Sequence, residues 1–451
     1  MMKAHQDYQH SPVLQECRNA MELAKKIHDR TARVGVIGLG YVGLPLGVEM
    51  AKQGFQVTGI DIDRQKVDSV NAGISHILDV PSEALLSLVA QGKIKATQSL
   101  ASVENFDTVS VCVPTPLRKT KEPDLSYVLA AAETIGNHLQ QGQLVVFEST
   151  SYPGTTREVV LPILEKTGLR VGSDFFLAFS PERVDPGNAK YTTRNIPKVI
   201  GGITPQCVEL AAMFYSQFVE NIVRVSSPEC AEMVKMLENT FRSVNIALAN
   251  EMALMCHKFK VDVWEVIEAA KTKPFGFMPF YPGPGLGGHC IPVDPYYLTW
   301  KARLHGAEPR LIELAAQIND QMPAFTIARI AEVLNERQKS LKGSKILGLG
   351  MAYKRDTSDI RESPAIEVLH GLREKGAHVQ YSDPHVPSLD LHGGVLQSVS
   401  LKPVVLGSMD CVVLLTDHSS FDYKMIAAHS PIIVDTRNAL KNFPGPNIVS
   451  L

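Results

Sequence analysis

The stretch Arg33 to Val48, RVGVIGLGYVGLPLGV, constrains the fold of this chain more than any other: an apolar run enters three glycines at GxGxxG spacing and leaves as a helix. Gly38 permits the tight turn, Gly40 lets a pyrophosphate approach the backbone, and Gly43 allows the helix to pack closely on the strand. Free N–H groups at the helix start then face phosphate. The loop Gly38 to Gly43, with Tyr41 and Val42 inside it, is therefore the candidate dinucleotide site. A second apolar strand, Gln56 to Ile60, ends in Asp61, at about the 20-residue distance where an acid bonds the adenosine ribose. Because that acid repels a 2′-phosphate, the pattern predicts NAD rather than NADP. Lys66, just beyond it, is either a further cofactor contact or a solvated helix residue.

Strand and helix continue to alternate, with short apolar strands at Thr108 to Val113, Leu144 to Glu148, Phe175 to Phe179 and Lys198 to Ile200. The expectation is an α/β fold with a doubly wound parallel sheet. Ligands bind such sheets at the carboxyl ends of strands. The exits VPTP and ESTSYPGT place Thr115 and Thr150 there as candidate cofactor contacts, with ordinary turn or capping threonines as the alternative. A third exit, FSPERVDPGNA, carries Glu182 and Arg183 into an irregular loop.

The segment Pro282 to Pro295, PGPGLGGHCIPVDP, sets Cys290 among turn formers, with Asp294 four residues later. Its glycines and prolines oppose a helix or central strand and let a backbone come close to a ligand. Cys290 is either a presented nucleophile or a small buried hydrophobe. His289 beside it does not make a metal pair, since adjacent residues rarely ligate one ion, and no metal site is expected.

From Pro228 to about Lys271 the pattern becomes one long helical stretch, expected to link the halves of the chain and to dimerise. Lys235, Asn239 and Arg242 fall on one face of it, either as a site or as a salt-bridged outer face. Beyond it SKILGLGM, Ser344 to Met351, repeats the strand-to-GxG pattern; a helix from Ser363 to Glu374 and a strand from His378 to Ser382 follow. A second Rossmann-like unit is expected, with Tyr353 where the fingerprint wants a third glycine. Its charged loop YKRDTSDIRESP offers Lys354, Arg355 and Arg361 to hold a diphosphate or to span toward the first domain. Strands Cys411 to Leu415 and Ile432 to Val434 follow, and the exit of the latter presents Arg437.

With 451 residues, 45% of them hydrophobic, the chain can fill several cores. A net charge of −2 gives no footprint for nucleic acid and no polybasic membrane patch. Seven cysteines without paired spacing, and no long apolar run, predict a reducing cytoplasm and no membrane span. Met1 to Arg30 lacks a signal core; Leu14, Cys17, Met21, Ala24 and Ile27 repeat at helical spacing, so an amphipathic helix is expected. The division read from these patterns is a helical extension over 1–30, a Rossmann domain over 31–225, a central helical region over 226–340, and a second Rossmann-like domain over 341–451.

GLGYVGLPL, VPTP, SPER, the LENT of Leu237 to Thr240, GGHCIPVDP and DIRESP together, in this order, resemble the UDP-glucose/GDP-mannose dehydrogenase family over nearly all the chain after residue 30. TKPFGFMPFYPGPGLGGHCIPVDPYYLTWKA resembles its UDP-N-acetylhexosamine 6-dehydrogenase branch, above all the enzymes acting on UDP-N-acetylglucosamine in bacterial surface-polysaccharide synthesis. The resemblance implies a homodimer in which two NAD-dependent steps oxidise a sugar C6 alcohol to a carboxylate, with the last domain binding the UDP-sugar. It implies Cys290 as nucleophile, Lys235 and Asn239 near the reacting oxygen, Glu182 and Asp294 for proton and water handling, Thr150 by the nicotinamide, and Arg361 toward the cofactor. Substrate contacts implied in the acetamido-sugar branch are Arg183, Val184, Arg242, Gly287, Tyr353, Lys354 and Arg437. Where UDP-glucose enzymes place an arginine that reaches the partner's site, this chain has Lys271 and Lys273.

Those residue types suit such chemistry. A thiol can capture an aldehyde as a thiohemiacetal that loses hydride to become a thioester, an ammonium and an amide can stabilise the alkoxide, and Glu182 is the expected base for hydrolysis. Other readings are UDP-ManNAc or UDP-glucose oxidation, a single-step hydroxy-acid dehydrogenase, and a non-catalytic NAD-binding redox sensor with Cys290 as the sensing thiol.

Overall fold

The computed structural model describes residues 13, 17–77, 79–118, 120–184, 190–288, 291–391 and 394–451. They form two compact units, Met1–Glu238 with Tyr296–Lys301, and Asn239–Pro295 with Ala302–Leu451.

The first unit is built on strands β1 (Arg33–Ile37), β2 (Gln56–Ile60), β3 (Ile94–Thr97), β4 (Thr108–Val111), β5 (Leu144–Phe147), β6 (Phe176–Phe179), β7 (Lys198–Gly202) and β8 (Ile222–Arg224). They lie in the order β3-β2-β1-β4-β5-β6-β7-β8. β4, β5 and β6 are buried at every position, which the near-continuous apolar runs require when helices cover both faces. The sheet is parallel as expected except at one pair: β6 and β7 run antiparallel, Phe179 opposite Gly201, and β8 then runs parallel to β7. The irregular loop between β6 and β7 contains no crossover helix among its described residues, so the chain returns in the opposite direction.

The amphipathic segment near the start is a helix, Arg18–His28, that buries Ala20, Leu23, Ala24 and Ile27 against Leu210, Ala211 and Phe214 of the helix Pro205–Tyr215. Ala24 and Ile27 are buried and Cys17 half-buried, as the spacing predicts; Met21 is exposed, and Ala20 and Leu23 complete the buried stripe instead. Leu14 lies outside the described residues.

The expected single helix from Pro228 to Lys271 is two helices, Pro228–Phe259 and Val263–Lys271. Lys260 takes a left-handed conformation with φ 58°. Asp262 then caps the second helix, its carboxylate accepting from Trp264 N–H at 2.8 Å. Helical periodicity continues through the break, and for that reason the sequence pattern hides it.

The second unit holds strands β9 (Lys345–Leu349), β10 (His378–Ser382), β11 (Ser388–Asp390), β12 (Val395–Gln397), β13 (Cys411–Leu414), β14 (Ile433–Asp435) and β15 (Ile448–Ser450). Five of them form a parallel sheet in the order β10-β9-β13-β14-β15; β11 and β12 make a separate antiparallel ribbon. The expected echo of the first unit is therefore present, including an acid after the second strand. Asp383, following β10, accepts Met351 N–H at 2.6 Å and Ala352 N–H at 3.1 Å. It is also 3.0 Å from His418 Nε2, and both side chains are fully buried. A long helix, Arg310–Glu336, completes this unit and packs Ile327, Ile330, Val333 and Leu334 into its core.

Candidate active-site residues on the two units

At the exit of β1 the glycines behave as the fingerprint requires. A Cβ on Gly43 would stand 1.8 Å from Gly38 O, so no side chain fits there, whereas one on Gly40 would meet nothing within 4 Å. The loop is closed where strand and helix meet and open where a pyrophosphate must approach, which fits a dinucleotide. Tyr41 is exposed and Val42 half-buried. Asp61 is buried and shapes the same loop: its carboxylate accepts Leu39 N–H and Asp63 N–H, each at 2.9 Å. Lys66 lies 3.5 Å from Asp61, so it balances that acid. Carboxylate oxygens have lone pairs beyond those two bonds, leaving acceptor capacity for a ribose.

Thr115 is buried beyond β4, and Thr150 is half-buried beyond β5. The loop after Thr150 is secured from the long helix: Glu232 accepts Gly154 N–H at 2.6 Å, Thr156 N–H at 2.9 Å and the Thr156 hydroxyl at 2.7 Å. Burial nevertheless pushes the Glu232 carboxyl up to about 7.

One turn further along that helix Lys235 is buried, and its ammonium donates to the Glu182 carbonyl at 2.7 Å. The Glu182 carboxylate accepts Arg183 N–H at 2.7 Å and Val184 N–H at 2.8 Å, and pairs with Lys198 at 3.0 Å. Although burial raises its pKa, Lys198 and those two N–H groups outweigh it and hold Glu182 below its ordinary value. That keeps Glu182 ionised, the form in which a carboxylate can accept a proton. Arg183 holds Glu238 with two bonds, at 2.5 and 3.2 Å, and donates to Pro197 O at 2.8 Å.

The second unit carries the remaining candidates. His289 and Cys290 lie outside the described residues. The loop leading to them is fastened within its own unit. Gly283 N–H donates to Asn250 Oδ1 at 3.0 Å, while the Asn250 amide donates to Asn319 Oδ1 at 2.9 Å. A Cβ on Gly287 would stand 2.6 Å from Tyr353 Cβ and 2.9 Å from Glu362 O, so this glycine is a packing requirement. Gly288 N–H bonds Arg361 O at 3.0 Å. Asp294, fully buried, opens the helix Asp294–Leu304 and accepts from the Asn239 amide. Thus Asn239, Asp294, Gly287 and Tyr353 share one unit, which sequence separation conceals. Arg437 donates from Nε to Leu415 O at 2.7 Å, and Arg361 is forked onto Asp359. Lys354 is half-buried; Arg242 is exposed.

Sequence reasoning missed Lys198, Glu148 and Glu232. The available signal was a charge set against apolar neighbours, as in IPKVIGG and VVFEST, since such residues are seldom buried unless paired.

Among known proteins, the UDP-glucose/GDP-mannose dehydrogenase family matches in three successive parts: the NAD binding domain over residues 32–219, the central domain over 229–321 and the UDP binding domain over 347–442. The UDP-N-acetyl-D-mannosamine dehydrogenase of Pyrococcus horikoshii is 38% identical over 91% of this chain and 97% of that protein. The UDP-N-acetyl-D-glucosamine 6-dehydrogenase of Pseudomonas aeruginosa is 37% identical over 86% of this chain and 91% of its own. A solved structure of the UDP-D-ManNAc dehydrogenase from Pyrococcus horikoshii superimposes with a TM-score of 0.85 at 37% identity, covering 93% of this chain and 98% of that one.

Proposed function

Since the chain belongs to the UDP-glucose/GDP-mannose dehydrogenase family and is an NAD-dependent UDP-sugar 6-dehydrogenase, we propose that its substrate is a UDP-N-acetylhexosamine, UDP-GlcNAc first among them. The observation that carries the acetamido-sugar reading is the relatives' common substrate class: those acting on the mannosamine and glucosamine nucleotides are similar at 38% and 37% identity. The product is the corresponding uronate, a building block for surface polysaccharide.

When bound, NAD supplies the hydride acceptor for both oxidations. The chain's residues do the rest. Lys235 and Asn239, four apart on one helix, hold the C6 oxygen as its proton and a hydride leave. The Cys290 thiolate adds to the resulting aldehyde, making a carbon–sulfur bond and an alkoxide, and loss of a second hydride yields a thioester. Water then attacks the acyl carbon, the carbon–sulfur bond breaks, and the thiolate returns as the carboxylate departs. Glu182, held ionised by Lys198, takes a proton from that water as general base, with Asp294 as the acceptor for the second proton. Thr150 faces the nicotinamide, Arg361 serves the cofactor, and Arg183, Val184, Arg242, Gly287, Tyr353, Lys354 and Arg437 recognise the nucleotide sugar.

We further propose a homodimer through the long helix, where Leu237, Leu248 and Phe259 are 64%, 55% and 70% exposed. The four-part division at residues 30, 225 and 340 is retained as the working domain scheme. We propose that the reaction runs in the cytoplasm, as the unpaired spacing of the seven cysteines suggests. No described helix is long and apolar enough to cross a membrane.

A panel of UDP-glucose, UDP-GlcNAc, UDP-GalNAc, UDP-ManNAc and GDP-mannose with NAD tests the substrate. The highest kcat/KM is expected for UDP-GlcNAc. A higher value for UDP-glucose would overturn the acetamido-sugar reading while leaving the family intact.

A further inference from the structure

Lys198 opens β7 with a side chain 5% exposed, and its ammonium stands 2.5 Å from Glu148 Oε2 and 3.0 Å from Glu182 Oε2. Those two acids follow adjacent strands, Glu148 one residue past β5 and Glu182 three residues past β6. Glu148 directly follows β5 and begins the loop that carries Thr150; Glu182 follows β6 and begins the loop of Arg183 and Val184. One buried cation thus grips the roots of two adjacent strand-exit loops. The outer bonds are also made within the same unit. The Tyr215 hydroxyl donates to Glu148 Oε1 and lies 3.4 Å from Ser110 Oγ, while Glu182 Oε1 takes the two backbone N–H groups of its own loop.

Two carboxylates facing one ammonium leave a surplus negative charge in a buried place. The environment divides the two acids: burial raises Glu148, whereas Lys198 and the loop N–H groups lower Glu182. Clusters of this kind stabilise a fold no better than apolar packing of the same volume, so stability does not account for Lys198. What the cluster does fix is geometry, because the carbonyl of Glu182 is the acceptor that holds the Lys235 ammonium.

We propose that Lys198 is a positioning residue for the oxidation: by gripping Glu148 and Glu182 together it sets the Thr150 loop and the Glu182 loop in register and, through Glu182, fixes Lys235. The proposal rests on the dehydrogenase reading above, and adds to it a residue that never touches the substrate.

Three variants test it, assayed by kcat, KM for NAD, the pH profile of kcat on the best nucleotide sugar of the panel, and thermal melting. Lys198→Arg keeps a cation that can bridge both acids and should retain kcat within about 3-fold. Lys198→Met with Glu148→Gln removes one charge of each sign and leaves Glu182 with its two loop N–H donors, so the variant should stay folded while melting earlier than the unaltered protein. Its kcat should nonetheless fall by about 30-fold or more, with the acidic limb of the profile moved to higher pH as Glu182 loses its cation. If that pair does not fold, Glu148→Gln alone serves: a near-native melt with KM for NAD raised several-fold supports the grip, and an unchanged KM overturns it. A folded double variant with near-normal kcat and an unmoved acidic limb would show Lys198 to be merely structural, and a Lys198→Arg variant as impaired as the double variant would refute the charge-based grip. Absence of turnover on every nucleotide sugar by the unaltered protein would instead defeat the functional reading on which the proposal stands.

Discussion

The Lys235 ammonium and the Glu182 carbonyl are 2.7 Å apart, which makes a buried lysine's position depend on the backbone of a strand-exit loop. In the proposed mechanism this side chain is a donor to the C6 oxyanion. Lys235→Met should therefore lower kcat by about 100-fold or more, the scale of losing one oxyanion donor. KM for NAD should change little. Steady-state kinetics with NAD varied at saturating nucleotide sugar checks both halves, and an unchanged kcat would remove Lys235 from the chemistry.

Asp61 offers a second test, because the acid proposed to bond the ribose also holds the loop. Its two loop bonds mean that Asp61→Ala leaves the Leu39 and Asp63 N–H groups without that acceptor, at a cost of about 1–3 kcal/mol for a buried one. The unaltered protein should strongly prefer NAD to NADP, and the variant should both melt earlier and bind NADH more weakly. Comparable use of NADP by the unaltered protein would show that Asp61 does not face the ribose.

The glycine fingerprint, Asp61 and the strand-exit loops were legible in the sequence because each is set by local rules: a tight turn, a close approach, an acid after a strand. Extents were less so. The break at Lys260 leaves the helical period undisturbed, and the antiparallel β6–β7 pairing depends on what the intervening loop does. The bond between Asn239 and Asp294, and the packing of Gly287 on Tyr353, join residues far apart in the chain and have no local signature. The same holds for Lys198, whose partners come from two other strands' exits.

Glu232 predicts a pH dependence of stability. Its folded pKa of about 7 exceeds the ordinary 4.5, so the folded state holds a proton that the unfolded chain has already lost. The contribution is complete below about pH 4.5 and disappears as pH rises through 7, amounting to roughly 3 kcal/mol at most. Melting temperatures between pH 5 and 8 should show this downward component, and Glu232→Gln should flatten it. An unaltered slope in the variant would assign the effect to other groups.

The dimer proposal predicts that Leu248→Glu with Phe259→Glu, both at exposed positions, yields monomers with a folded core. Light scattering of the unaltered protein should give about twice the chain mass, and the variant about the chain mass, with similar far-ultraviolet circular dichroism. A monomeric unaltered protein would contradict the interface.

The central claim, two oxidations joined by a covalent Cys290 adduct, is tested most directly by counting NADH formed per UDP-GlcNAc consumed, in the unaltered protein and in Cys290→Ala. The account predicts two NADH and one uronate for the former. For the latter it predicts no appreciable uronate, with slow reduction of NAD or reversal from a supplied UDP-sugar aldehyde, since the first hydride transfer needs no thiol. One NADH per sugar in the unaltered protein, or near-normal uronate formation by Cys290→Ala, would contradict it.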